Sequence, residues 1–176
     1  MLFFVVILLL LAMIATPGCA PVEGVEDLNL SKLEGAWYEM YQSRDNDSRS
    51  LGRCDSVVYT KQAFGMKVTE YNYVKGSSVP ETSYASLTQE DTDDKGELTY
   101  VRLDADGKKT SEKFLHQVVA ADDEYYQIIY QCKHFLGIGR YENLWVLTRE
   151  PFTIGSSEWK REKELIMALI ADKFGL

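Results

Sequence analysis

Two histidines and three cysteines are all that this 176-residue chain offers to a metal ion or a thiol mechanism. Zinc is held by four N or S ligands at close spacing. His116 and His134 complete no such set of four, so no metal site is expected. Cations are short as well, 19 Lys and Arg against 27 Asp and Glu, for a net charge of −8. No stretch gathers enough of them to attract phosphate backbones or anionic lipid heads, which excludes nucleic acid and membrane surfaces as partners. The stretch DTDDKGELTYVR from Asp91 opens like a calcium loop, but Lys95 and Arg102 occupy ligand positions and leave it a solvated turn. A long apolar run is also missing: the longest, Leu2 to Ala15, falls short of the roughly 20 residues that span a bilayer.

That short run, followed by Thr16, Pro17 and Gly18 and then by the first charged residue, Glu23, has the outline of a secretory leader. The expected division is a signal peptide over 1–18 and a single domain over 19–176, with a retained anchor or a lipidated Cys19 as the alternatives. The mature part, 176 − 18 = 158 residues, suffices for one well-buried core. Export places Cys19, Cys54 and Cys132 in an oxidising compartment, where cysteines pair.

From Trp37 onward the chain breaks into short runs rich in Val, Ile, Tyr, Thr and Phe, separated by Gly, Asp, Asn and Ser clusters. The runs are Ala36–Ser43, Ser56–Gln62, Met66–Val74, Thr82–Gln89, Glu97–Leu103, Glu112–Ala120, Tyr125–Lys133 and Asn143–Thr148. Short turns such as Ala63-Phe64-Gly65 and Asp104-Ala105-Asp106-Gly107 join neighbours in an antiparallel meander. After Ser156 and Ser157, which offer N-caps, Trp159, Ile166, Leu169, Ile170 and Phe174 recur at helical spacing. The fold expected is all-β: an eight-stranded antiparallel up-and-down barrel with one C-terminal α-helix packed on the outside. Closure removes exposed sheet edges. A β-sandwich has the same strand signature and stays open as the alternative.

Gly35-Ala36-Trp37 stands at the start of the first run, and Arg149 ends the last. In a barrel the first and last strands are neighbours, and a guanidinium stacks favourably on an indole. Together with DDEYYQIIYQC from Asp122, these motifs resemble those of the lipocalins. Gly35 and Trp37 match the first-strand motif, Asp122 and Tyr126 the region before the seventh strand, and Arg149 the last-strand arginine. Through MKVTEYNYVKG, YYQIIYQCKH and LWVLTRE the chain is most similar to the bilin-binding and apolipoprotein D-like branch.

The resemblance implies a barrel lumen that takes a small hydrophobic molecule. It points Glu70, Asn72, Phe114, His116, Ile129, Gln131, Tyr141, Asn143 and Trp145 inward as the ligand-binding set, although ordinary barrel packing explains any one of them equally well. It further implies a Cys19–Cys132 disulfide and leaves Cys54 as a free thiol; Cys54–Cys132 pairing is the alternative. Asn29 and Asn46 open glycosylation sequons, Asn46 in a mouth loop.

The function expected is that of a secreted, extracellular carrier, monomeric or weakly dimeric, with no resident cofactor and no catalytic residues. Its candidate ligands, in falling order, are a bilin, a retinoid, a sterol and a fatty acid. The other readings are a prostaglandin-type isomerase working through Cys54, whose RCDSVV surroundings resemble those of a lipocalin-type synthase, and a protein-binding module acting through its mouth loops.

Overall fold

Alternation of inward apolar with outward polar residues, interrupted by turns every ten residues or so, curls the chain until its last strand meets its first. The computed structural model describes residues 19–43, 55–73, 77–89, 95–135, 139–153 and 155–175. Its strands are β1 (Gly35–Gln42), β2 (Ser56–Lys61), β3 (Met66–Asn72), β4 (Glu81–Thr88), β5 (Glu97–Leu103), β6 (Lys109–Asp122), β7 (Tyr126–Phe135) and β8 (Gly139–Thr148). They form one closed barrel in sequence order. Every neighbouring pair is antiparallel, and β1 closes on β8 through Tyr38 opposite Thr148 and Gln42 opposite Trp145. Closure rules out the sandwich, which would leave two separate sheets.

Several boundaries depart from the expectation. Strand β6 begins at Lys109 rather than Glu112 and runs on to Asp122, while β8 begins at Gly139 rather than Asn143. In both cases the added residues are polar or charged, so composition argues against a strand, but a partner strand already offers them a ladder of hydrogen bonds. A 3-10 turn over Leu30–Leu33, capped by Asn29 Oδ1 accepting from Ser31 N, was not foreseen. It drops Leu33, 1 % exposed, into the base of the barrel.

Helix α1 (Ser157–Phe174) starts where Ser156 accepts a hydrogen bond from Trp159 N at 3.1 Å. It ends at Gly175, whose left-handed backbone (φ 67°) lets its N–H reach the last carbonyls. Ile166 and Ile170 bury against the outer faces of β6, β7 and β8 at Val119, Ala120, Ile128 and Val146. The core therefore has two layers. One lies between barrel and helix; the other fills the lower barrel with Trp37, Tyr59, Met66, Val68, Leu87, Leu98, Val118 and Leu147. A disulfide joins Cys19 to Cys132 with Cα atoms 5.9 Å apart, fastening the N-terminal arm to β7.

Candidate ligand-binding site

The base is closed first. Trp37 is fully buried, its indole Nε1 donates to Leu33 O at 2.8 Å, and the Arg149 guanidinium lies 3.8 Å from the ring centre. Arg149 also donates to the carbonyls of Lys32 (2.7 Å), Glu34 (2.8 Å), Ala36 (3.4 Å) and Asp123 (3.2 Å), so one side chain ties the 3-10 turn, β1 and the β6–β7 turn together. Gly35 takes φ 105°, and a Cβ there would stand 3.2 Å from Arg149 Nη1, so glycine serves both the backbone turn and the guanidinium. Asp122 Oδ1 accepts from Glu124 N at 3.0 Å, shaping the β6–β7 turn. Tyr126 packs outside, towards the helix.

Above that floor, strand parity turns a second tier of side chains inward. On β3 it is Glu70 and Asn72. Glu70 accepts from Ser83 Oγ of β4 and from the Tyr100 hydroxyl of β5, each at 2.7 Å. On β6 it is Phe114 and His116: the His116 ring stacks on Tyr100 with centroids 4.8 Å apart and lies 5.5 Å from Trp145, while Phe114 lies 6.1 Å from Tyr100. On β7 and β8, Ile129 faces Trp145 and Gln131 faces Asn143 in register, with Tyr141 accepting a hydrogen bond from Asn143 Nδ2. The nine residues expected to line the lumen thus share one interior. Glu70, Asn72, Phe114, His116, Tyr141 and Trp145 keep partial exposure there, whereas Trp37, Val68, Val118 and Leu147 of the floor are buried. The interior is sealed below and accessible above.

Burial pushes His116 down from 6.5 to about 4, so its imidazole is neutral at ordinary pH. Burial, reinforced by the Glu70 charge, pushes the phenols of Tyr59 and Tyr100 up, and both stay protonated.

Sequence reasoning missed part of this tier. Glu39 of β1 and Asp55, just before β2, also face inward. Glu39 follows Trp37 inward by simple alternation, ahead of a β-bulge between Glu39 and Tyr41, but as a carboxylate it reads as a solvated residue. Burial, with the Asp55 carboxylate beside it, lifts Glu39 from 4.5 to about 7. Asp55 is raised too, chiefly by burial, although it accepts from Tyr73 N at 2.9 Å. Gln127 of β7, opposite Leu147, is 1 % exposed and lies against the Tyr59 hydroxyl in the floor. Cys54 and Asn46 lie outside the described residues, and so does the 1–18 leader. Asn29 is exposed. Among the described residues no group of three His, Cys, Asp or Glu is placed to hold a metal ion, and no helix is long and apolar enough to cross a membrane.

No protein-family model matches the chain. Bilin-binding protein of Pieris brassicae is 26 % identical to it over 157 residues, which are 88 % of this chain and 79 % of that protein. Among solved structures, insecticyanin from the tobacco hornworm Manduca sexta superposes with a TM-score of 0.68 at 19 % identity, covering 89 % of this chain and 81 % of its own. A biogenic amine-binding protein does so with a TM-score of 0.64 at 19 % identity, covering 89 % and 83 %. The eight-stranded barrel with one outer helix is the lipocalin fold, and in sequence the chain resembles the bilin-binding branch of the lipocalins.

Proposed function

We propose that this chain is a secreted carrier that holds one small, mostly apolar molecule in the upper half of its barrel. The observation that carries this reading is the contrast between a sealed floor and an accessible tier of aromatic and polar side chains above it. Apolar burial supplies affinity, and a few fixed polar groups supply orientation. His116, Trp145, Tyr100 and Phe114 form a near-continuous aromatic wall suited to a flat, conjugated ligand. Glu70, Gln131 and Asn143 provide hydrogen-bonding groups along it. A bilin heads the candidates, supported by the resemblance to a bilin-binding relative, with retinoid, sterol and fatty acid behind it.

Purification from the native source, followed by an absorbance scan and mass spectrometry of the organic extract, tests the reading. A stoichiometric chromophore or lipid is expected. A colourless, empty protein that also fails to bind added bilin, retinoid and fatty acid would sink it.

A further inference from the structure

Asn29 opens the sequon Asn29-Leu30-Ser31 at the step into the 3-10 turn. Its backbone is extended (φ −97°, ψ 102°), and its Oδ1 accepts from Ser31 N at 3.0 Å. That bond fixes the side-chain amide and engages only its oxygen. Nδ2 donates to no described residue, and Asn29 and Ser31 are both exposed. A substituent on Nδ2 keeps the carbonyl oxygen, so the cap survives it. The folded chain therefore accommodates a sugar on Asn29 without dismantling the turn.

The turn is tied to a hairpin on each side. Lys61 Nζ, at the end of β2, donates to Ser31 Oγ at 3.4 Å, and Lys32 Nζ lies 2.6 Å from Asp123 in the β6–β7 turn. Both hairpins stand at the closed end of the barrel, and each displays a bare aromatic ring. Phe64, in the turn after β2, is 90 % exposed, and Tyr125, in the turn before β7, is 67 % exposed. A lone exposed ring is ordinary, but two on the turns flanking one sequon make an apolar surface on either side of it. The C–H face of a pyranose packs well on an aromatic ring, whose π face is electron-rich.

Taking the secreted half of the carrier reading as its basis, we propose that Asn29 carries an N-linked glycan whose first sugars lie over the closed end of the barrel, against Phe64 and Tyr125. In the transfer, made during export, Asn29 Nδ2 attacks C1 of the first N-acetylglucosamine of a lipid pyrophosphate-linked oligosaccharide. A C1–Nδ2 bond forms and the C1–O bond to the pyrophosphate breaks. The lipid pyrophosphate is the leaving group, and the amide gives up one proton. The opposite end of the barrel, where β3, β5 and β7 finish at Asn72, Leu103 and Phe135, stays open, so the glycan does not obstruct ligand entry.

Expression of the full chain with its leader in mammalian cells tests this, in an Asn46→Gln background so that a change in mass reports Asn29 alone. The secreted protein is expected to lose one glycan on treatment with peptide N-glycosidase, which leaves Asp at position 29 in the mapped peptide. Ser31→Ala destroys the sequon but keeps the cap, which uses only the backbone N–H of residue 31, and should abolish the glycan. Ser31→Thr should retain it. Hydroxyl-radical footprinting should then show Phe64 and Tyr125 losing protection in Ser31→Ala relative to glycosylated Ser31→Thr. A secreted chain with unmodified Asn29 overturns the inference and leaves the carrier reading standing. A glycan whose loss leaves both rings equally protected overturns their contact with it. Failure of the chain to enter the secretory pathway overturns both the inference and the secreted reading.

Discussion

The guanidinium of Arg149 lies flat against the ring of Trp37, 3.8 Å from its centre, although 111 residues separate them along the chain (149 − 37 = 112 positions). This contact joins the last strand to the first and so fastens the seam at which the barrel closes. Truncating Trp37 to Ala opens a cavity in the floor and should cost about 3–5 kcal/mol, enough to unfold the chain at 37 °C or bring it close. Arg149→Ala removes the stacking and four carbonyl contacts and should cost about 2–3 kcal/mol, a fall in Tm of roughly 5–10 °C in a domain of this size. Arg149→Lys keeps the charge but loses the fork, and should fall nearer to Ala than to wild type. Thermal unfolding followed by circular dichroism checks the order.

Trp145 is a different case, since its ring stands in the partly exposed tier above the floor. Trp145→Ala should weaken binding of an aromatic ligand by about tenfold while lowering Tm by less than Trp37→Ala does. A variant that unfolds as readily as Trp37→Ala would place Trp145 in the supporting core instead.

Two lumen groups give stability opposite pH dependences. Glu39 has its folded pKa raised from 4.5 to about 7, so the folded state holds more protons than the unfolded between those values, and stability falls as pH rises through that window. His116 has its folded pKa lowered from 6.5 to about 4, so the unfolded state holds more protons, and stability falls as pH drops from 6.5 towards 4. Each effect reaches about 2 kcal/mol across its window, and in the wild type they nearly cancel between pH 8 and pH 5. Removing one should reveal the other. Glu39→Gln should lose about 2 kcal/mol on acidification from pH 8 to pH 5, and His116→Phe should gain a similar amount. Urea unfolding at the two pH values measures both.

The Cys19–Cys132 bridge spans 113 residues. On the chain-entropy model, replacing both with Ser should cost about 4–5 kcal/mol, read as a lower urea midpoint. Non-reducing peptide mapping should recover the bridged peptides; a Cys54–Cys132 peptide instead would contradict the pairing.

Much of this molecule is legible in its residues. Glycine-and-aspartate turns at regular spacing pointed to eight strands, and the helical recurrence of Ile166 and Ile170 pointed to the outer helix. Gly35, Trp37 and Arg149 marked the closure. The polar extension of β8 back to Gly139 was not legible, because Arg140, Tyr141 and Glu142 become strand only when β7 is there to pair with them. Glu39 was missed for a related reason. Alternation from Trp37 carries it inward ahead of the bulge, but a carboxylate reads as a solvated residue unless the lumen is known to be polar. Gln127 was hidden for a third: a glutamine reads as surface, and its burial against Tyr59 is set by what surrounds it, not by what it is.

Tyr130 meets both ends of the described chain. Its hydroxyl donates to Glu142 at 2.6 Å and accepts from Ala20 N at 3.1 Å, and the ring receives the edge of Phe174 at 5.3 Å. The first and last described segments of the fold therefore lie together on one outer wall, away from the lumen. Such proximity makes the connectivity of the chain negotiable. A rearranged gene that links residue 175 to residue 19 through a short glycine-serine tether, and opens new termini in the exposed Asp104–Gly107 turn, should still encode a barrel that closes on itself.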